Sequence, residues 1–364
     1  MSELKNCAAV LLLLMAGALP MCARHASEVK TTAAEPTIDR TSIQITTQEH
    51  RGYYANGKLD ETTWSWTPRI SFRVNGPIPQ GSQLEVEYFL PDSKSWVKVD
   101  CDTGEVGQGE FWQVGNPPCG NNMEDEKGIN YTGLMAFRIS LRNELQGGSK
   151  TLFSGKMNIK KVRVGPDLPA NRNHFDYYID HDWNLPIGYV YAPEDAEYAE
   201  AAPLAASLWF RGDTSKVAAY LFYKGKEISN TAVSSKGTML QEVDNQTFEA
   251  SPYIWRRMRF VFFNTLLFNR EEADSHPEAF RLDRNPGEYE IKVLRGGKLV
   301  RTAKFQIGAD GKLFDTRVAA GNNLGTSRII IPVEVLGNED ADYDRTAWKT
   351  MAFYGDPLSG FTAP

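Results

Sequence analysis

From Thr41 onward the chain is written in short runs whose apolar and polar residues alternate with a period of two. Thr41–Thr47 (TSIQITT), Arg69–Val74 (RISFRV), Gln83–Leu90 (QLEVEYFL) and Trp96–Val99 each read as a strand with one inward face. Leu134–Leu141 (LMAFRISL) and Thr151–Val164 (TLFSGKMNIKKVRV) continue the series, joined across Gln146-Gly-Gly-Ser-Lys150, where paired glycines supply the positive φ that a hairpin needs. Arg51–Asp60 and Gly76-Pro-Ile-Pro79 supply turn residues between the runs, and no helical period competes with the alternation. Such spacing predicts an all-β fold of antiparallel sheets packed as a sandwich or barrel.

The second half restates this order. Ala205–Phe210 (AASLWF) corresponds to RISFRV, and Val217–Tyr223 (VAAYLFY) to LEVEYFL. Gly287–Arg295 (GEYEIKVLR) stands where LMAFRISL stood, Gly296-Gly-Lys makes the turn, and Leu299–Ile307 (LVRTAKFQI) matches TLFSGKMNI. Four strands and a Gly-Gly hairpin in the same order predict an internal duplication. The G-x-Y-x-I-x-V strand at Gly287–Val293, followed by its hairpin, resembles the closing strand pair of immunoglobulin-like domains. The resemblance covers roughly 20 residues in each half and implies fold only. Two hallmarks of that family are missing: Cys101 and Cys119 stand too close in sequence for an inter-sheet bridge, and Trp112 between them reads as loop.

The expected organisation is therefore two tandem immunoglobulin-like antiparallel β-sandwich domains. Residues 1–26 read as a secretory leader, 27–40 as a polar linker, 41–165 as the first sandwich and 166–200 as an aromatic inter-domain segment. Residues 201–310 read as the second sandwich, and 311–364 as a strand (RIIIPVEVL, 328–336) and tail docked on it. The leader is carried by Cys7–Ala18 (CAAVLLLLMAGA), an unbroken small and apolar run too short for a comfortable membrane span. Its cleavage point is open. Leu19-Pro20-Met21-Cys22 has the outline of a lipoprotein signal with an oversized residue before the cysteine, which makes Cys22 a candidate acylation site.

Of the four cysteines, Cys101 and Cys119 lie in the body of the chain. Outside the cytosol such a pair oxidises. A disulfide here restrains a Gly- and Pro-rich loop that has little core of its own, worth about 3 kcal/mol. Zinc is the poorer reading, with no neighbouring histidine and no CxxC. Removing residues 1–26 takes away two positive charges (Lys5, Arg24) and one negative (Glu3), moving the formal net charge from −6 to −7. A mildly acidic body argues against nucleic acid, and leaves a membrane only through a lipid anchor at Cys22.

The densest aromatic window is His174–Tyr191 (HFDYYIDHDWNLPIGYVY), which holds two of the five histidines. On a strand His174, Asp176, Tyr178 and Asp180 share one face, with His181 opposite. Two histidines and three aspartates (Asp176, Asp180, Asp182) are metal-ligand types, but extended chain sets His174 and His181 more than ~20 Å apart at ~3.3 Å per residue. The preferred reading is a joint, with Trp183, Leu185, Ile187, Tyr189 and Tyr191 buried at or near the domain interface. Trp64 and Trp66 point the same way on a strand and offer a two-ring sugar platform or a core stripe. Asp340, Asp342 and Asp344 resemble the opening of a calcium loop, though Arg345 replaces the glycine of an EF-hand and no glutamate closes it; an irregular calcium site is the remaining cofactor reading. Arg211-Gly-Asp213 sits where a turn is needed. The arginines of Trp255–Phe268 (WRRMRFVFFNTLLF) read as the charged edges of a strand that runs into buried chain.

No G-x-S-x-G, H-E-x-x-H, Walker loop or dinucleotide fingerprint occurs. The function expected is non-catalytic binding or structural work at the cell envelope, periplasmic or at the cell surface, with an unknown protein or glycan partner and no cofactor. A carbohydrate-binding module is the first alternative, and a hydrolase with its site at the inter-domain segment the second.

Overall fold

The alternating runs become strands whose inward faces meet in two cores. In this computed structural model the described residues are 35–364, excluding 56–57, 80, 100, 102–110, 121–127, 144, 146, 165–173, 242–253, 271–276 and 338–341. Strands hold 58% of the described residues and helix 7%, so the fold is all-β with several antiparallel sheets.

The first half contains β1 (Thr37–Ala55), β2 (Lys58–Asn75), β3 (Ser82–Leu90), β4 (Ser95–Val99), β5 (Phe111–Cys119), β6 (Gly133–Asn143), β7 (Gly148–Arg163) and β8 (Phe175–Ile179). One sheet has the order β1-β2-β5 and the other β4-β3-β6-β7-β8. Ile43, Ile45, Ile70, Phe72 and Val74 of the first sheet pack against Val86, Tyr88, Met135, Phe137, Ile139 and Met157 of the second. Each set lies at every other position of its strand, because period-two alternation delivers one face to the core. β1 and β2 pair antiparallel along most of their length, out to Ala55 opposite Lys58, so the predicted strand 41–47 grows in both directions and takes in part of the expected linker. The backbone of Trp112 lies in β5, paired with Val74, rather than in a loop. Cys101 and Cys119 are disulfide-bonded, which fixes the end of β5 to the chain just beyond β4.

The second half contains β9 (Ile187–Tyr191), β10 (Ala201–Ala202), β11 (Leu204–Arg211), β12 (Val217–Tyr223), β13 (Lys226–Asn230), β14 (Thr238–Gln241), β15 (Trp255–Phe262), β16 (Thr265–Leu266), β17 (Phe268–Asn269) and β18 (Phe280–Arg281). β19 (Gly287–Arg295), β20 (Lys298–Ile307) and β21 (Ile329–Val335) complete it. One continuous sheet runs β13-β12-β19-β20-β21-β9-β11-β15-β14 and wraps around a second core. In that core Leu208, Phe210, Met258 and Phe260 meet Leu221, Tyr289, Ile291 and Phe305. β21 joins the two layers, pairing with β20 on one side and β9 on the other.

β9, β11 and most of β15 are buried on both faces. Val190, Leu208 and Phe260 enter the second core. From the opposite face Ile187, Tyr189, Tyr191, Ala205 and Val261 join the core of the first half. Double burial explains why AASLWF and the 255–268 run carry little alternation. It also corrects the reading of the arginines as strand edges: Arg256 is 5% and Arg257 6% exposed. Their guanidinium groups donate to the carbonyls of Gly212 and Thr41, which is how a buried cation keeps hydrogen bonds.

The tail expected on the second sandwich packs instead on the first. Ala347, Ala352, Phe353, Tyr354, Leu358 and Phe361 belong to the core that contains Phe137 and Trp183. The Tyr354 ring stands edge-on to Phe137, with centroids 5.8 Å apart. The preceding loop, with the short helix α1 (Val318–Gly321), helps direct it: Arg40 donates its backbone N–H to Leu324 O, and Asn322 bonds Ser359 in both directions. Phe353 (φ 49°) and Tyr354 (φ 59°) are consecutive left-handed residues. Such a conformation costs of order 1–3 kcal/mol per residue, and the packing of both rings holds it in place. Among the described residues no helix is long and apolar enough to cross a membrane.

Candidate functional site

On β1 the core-facing parity runs Ile43, Ile45, Thr47 and then Glu49. An acid thus arrives at a position that the alternation reserves for apolar side chains. Glu49 meets His174 and Asp176 from the start of β8, and the ligand-type atoms of the three lie within 4.8 Å of one another. β8 is laddered to β7, with Asp176 opposite Val162. It is tied to the β1–β2 hairpin by Thr47 Oγ1 donating to Tyr177 O and by Tyr177 Oη donating to Trp64 O. The imidazole of His174 lies flat on Trp64, with centroids 3.7 Å apart and planes at 15°, and its Nε2 is 3.9 Å from Asp176 Oδ1.

Burial dominates the electrostatics. Asp176 is 4% exposed. Desolvation raises the Glu49 carboxyl well above the ordinary range, and the facing Asp176 adds to the rise. Asp176 is raised by burial as well, partly offset by its hydrogen bond with Glu49 and by His174. Burial lowers the pKa of His174, with Asp176 pulling the other way. Both carboxyls are thereby pushed towards the protonated form. Glu49 Oε1 and Asp176 Oδ1 remain buried with no hydrogen-bond partner among the described residues. A carboxyl–carboxylate pair beside an imidazole has the groups for proton transfer and for cation binding.

The other half of the aromatic window does something different. His181 is 3% exposed and does not join that cluster. Its Nε2 donates to Ile45 O at 3.2 Å, and Nδ1 faces Tyr354 Oη at 3.4 Å and Asn184 Nδ2 at 3.5 Å. Its ring stacks with Trp209 at 5.6 Å. Burial pushes its pKa down to about 4. Trp183, Leu185, Ile187, Tyr189 and Tyr191 are all buried. Trp183 meets Phe353 and Tyr354 edge-on, and Leu185 clusters with Trp209, Trp255 and Tyr343.

Trp64 and Trp66 do not make an exposed platform. Trp66 has no exposed surface; it packs on Tyr177 and donates Nε1–H to Tyr131 O. Trp64 is half-buried under His174. Trp66 is therefore a core residue, because its strand face points between the sheets. Among the described residues the exposed indole is Trp96, at 39%. It lines a groove of about 650 Å³ between the five-stranded sheet and the tail, together with Leu134, Lys156, Asn158, Met351 and Asp356. The guanidinium of Arg138 sits 4.3 Å from the Trp96 ring centroid.

Of the acidic triplet, Asp340 lies outside the described residues, as does Cys22. Asp342 is exposed, and the Asp344 carboxylate accepts from both the backbone N–H and the hydroxyl of Thr346 while its own N–H donates to Asp182. Asp344 is thereby committed to a local turn. Gly212 and Asp213 form the turn after β11, the Asp213 carboxylate accepting from Ser215. The residue that sequence reasoning missed is Glu49, and its one signal was an acid at core parity on β1.

No protein-family model matches this sequence, and no curated protein does. Among solved structures, one described as "Biofilm associated protein - BSP domain" aligns with 77% of this chain at 11% identity and a TM-score of 0.15. The alignment spans 61% of that chain's length. A likeness at that TM-score carries no argument about this protein.

Proposed function

We propose that this chain is an exported, non-catalytic protein of the cell envelope, two immunoglobulin-like sandwiches derived by duplication and welded into one binding or structural unit. The observation that carries the reading is the joint. Residues 183–191 bury one face in each core, and the C-terminal tail returns across them to the first half. A chain that needed its halves to close on a substrate would not fill the space between them with aromatic rings.

The strand orders support duplication. β1-β2-β5 and β4-β3-β6-β7 have the same sequence order as β9-β11-β15 and β13-β12-β19-β20, and β8 follows β7 as β21 follows β20. The four sequence correspondences fall on β2 and β11, β3 and β12, β6 and β19, and β7 and β20. The apolar run Cys7–Ala18 supports export. Fractionation of the native host, with intact mass of the recovered protein, tests the compartment. The expected result is an envelope or extracellular species that starts after residue 18 or at an acylated Cys22; a cytosolic protein retaining Met1 overturns the proposal.

Carbohydrate binding is the second reading, favoured by the exposed Trp96 beside Lys156, Asn158 and Asp356. An apolar ring flanked by donors and acceptors is what a sugar face requires. A glycan array followed by calorimetry reads it: Trp96→Ala should weaken any glycan bound by the wild type at least tenfold. An array without binders, or unchanged affinity in the variant, removes this reading and leaves the first untouched.

A further inference from the structure

Three donors converge on the seam between β1 and β8: one imidazole and two carboxylates. They come from two different elements, Glu49 from β1 and His174 with Asp176 from the β8 end. The spacing of His174 and Asp176, two apart, puts both on one side of extended chain. Asp176 is more than nine-tenths buried, and its Oδ1 points into the cluster without a hydrogen-bond donor. Glu49 Oε1 is in the same position. An unsatisfied buried acceptor is costly. A cation placed among the three satisfies both at once.

We propose that Glu49, His174 and Asp176 bind a divalent first-row transition-metal ion, zinc or manganese, that clamps β1 to β8. The donor set selects this class. Calcium takes six to eight hard oxygens, whereas an imidazole with carboxylates suits the first-row ions. Ligands bound ~2.1 Å from a tetrahedral ion sit about 3.4 Å apart. The 3.9 Å between His174 Nε2 and Asp176 Oδ1 is half an ångström above that spacing, and all three ligand atoms lie within 4.8 Å of one another. Trp64, flat against the imidazole at 3.7 Å, holds the ring so that small side-chain rotations close the gap. The hydroxyl of Thr47 already ties β1 to β8 at the adjacent Tyr177, and the ion is a second tie at the end of that seam. Three protein ligands leave at least one position on the ion for water.

The test uses the mature chain purified without a histidine tag and dialysed against a chelator. ZnCl2, MnCl2 and CaCl2 are titrated by calorimetry, and thermal unfolding is followed with each. The proposal expects one zinc or manganese per chain, a raised unfolding midpoint with that ion, and no equivalent effect of calcium. Glu49→Gln, which keeps the shape of the side chain, and His174→Ala should each weaken binding at least tenfold while the metal-free circular dichroism matches the wild type. The Asp342→Asn/Asp344→Asn double variant should bind as the wild type does. Absence of saturable zinc or manganese binding, a calcium preference, retention of binding in Glu49→Gln and His174→Ala, or its loss in the double variant would each overturn the assignment. None of these results bears on export or on the groove at Trp96.

Discussion

His181 shows what burial does to a single ionisable residue. Its ring is enclosed by Trp209, Trp255 and Tyr354, and its two nitrogens are satisfied only in the neutral form with the proton on Nε2. An unfolded histidine titrates near 6.5, and this one is held at about 4. Above pH 6.5 both states are neutral and pH has no leverage. As pH falls from 6.5 towards 4 the unfolded chain takes up a proton that the folded chain refuses, so stability is lost at about 1.4 kcal/mol per pH unit, on the order of 3 kcal/mol in all. His181→Gln is expected to be less stable than the wild type at pH 7.5, and the gap between them should narrow by about that amount at pH 4. Urea unfolding of both proteins across this range measures it; a gap that does not change with pH refutes the buried-neutral assignment. At this scale the sequence was only partly legible. The aromatic joint residues announced themselves by composition, and the cysteine pair by parity. Glu49 did not, because its partners are more than a hundred positions away, and Trp66 was indistinguishable from a surface indole until the direction of its strand face was known.

Elements were legible where one face is wet. β3, β6, β7, β19 and β20 alternate cleanly, and each falls on a run that the period-two pattern marks out. Legibility fails at strands buried on both sides, since water then imposes no polar face: β9 is buried at every position and β11 at all but its last. The seam strands β8 and β21 were missed as seams for a related reason. β21 pairs with a strand on each side, β8 is tied to β1 through a side chain, and neither kind of partner leaves a local mark in the sequence. Length was also hidden. Arg51–Asp60 carries enough turn residues to look like a break, yet β1 and β2 stay paired out to Ala55 and Lys58, with a register shift between Arg51 and Tyr53 absorbing the irregularity. The tail failed as an element because it has no period: its short 3₁₀ turns are positioned by what Phe353 and Tyr354 touch.

At the scale of the whole molecule those contacts decide how it unfolds. One core extends from Ile38 through Phe137 to Trp183, Tyr189, Ala205 and Val261, and takes in the tail to Phe361. Opening the first half therefore strips apolar cover from the outer face of β11 and β15 in the second. Loss of one should bring down the other, and calorimetry of the wild type is expected to show a single transition whose calorimetric and van't Hoff enthalpies agree. Gly155 is the place to loosen the tail. A Cβ there would lie 2.6 Å from Tyr354 O, 2.7 Å from Phe153 and 2.9 Å from Phe137, closer than real contacts allow. Part of that collision is with backbone, which cannot swing away, so Gly155→Val must push the tail off β7 at a cost of about 1–3 kcal/mol. With the tail displaced, Trp183 loses its edge contacts with Phe353 and Tyr354, and His181 loses the Tyr354 hydroxyl. The variant is expected to melt below the wild-type midpoint, the first half leading and the second following as its outer face is uncovered. A wild type that already melts in two steps, or a Gly155→Val protein that melts at the wild-type temperature, would show that the joint and tail do not weld the halves.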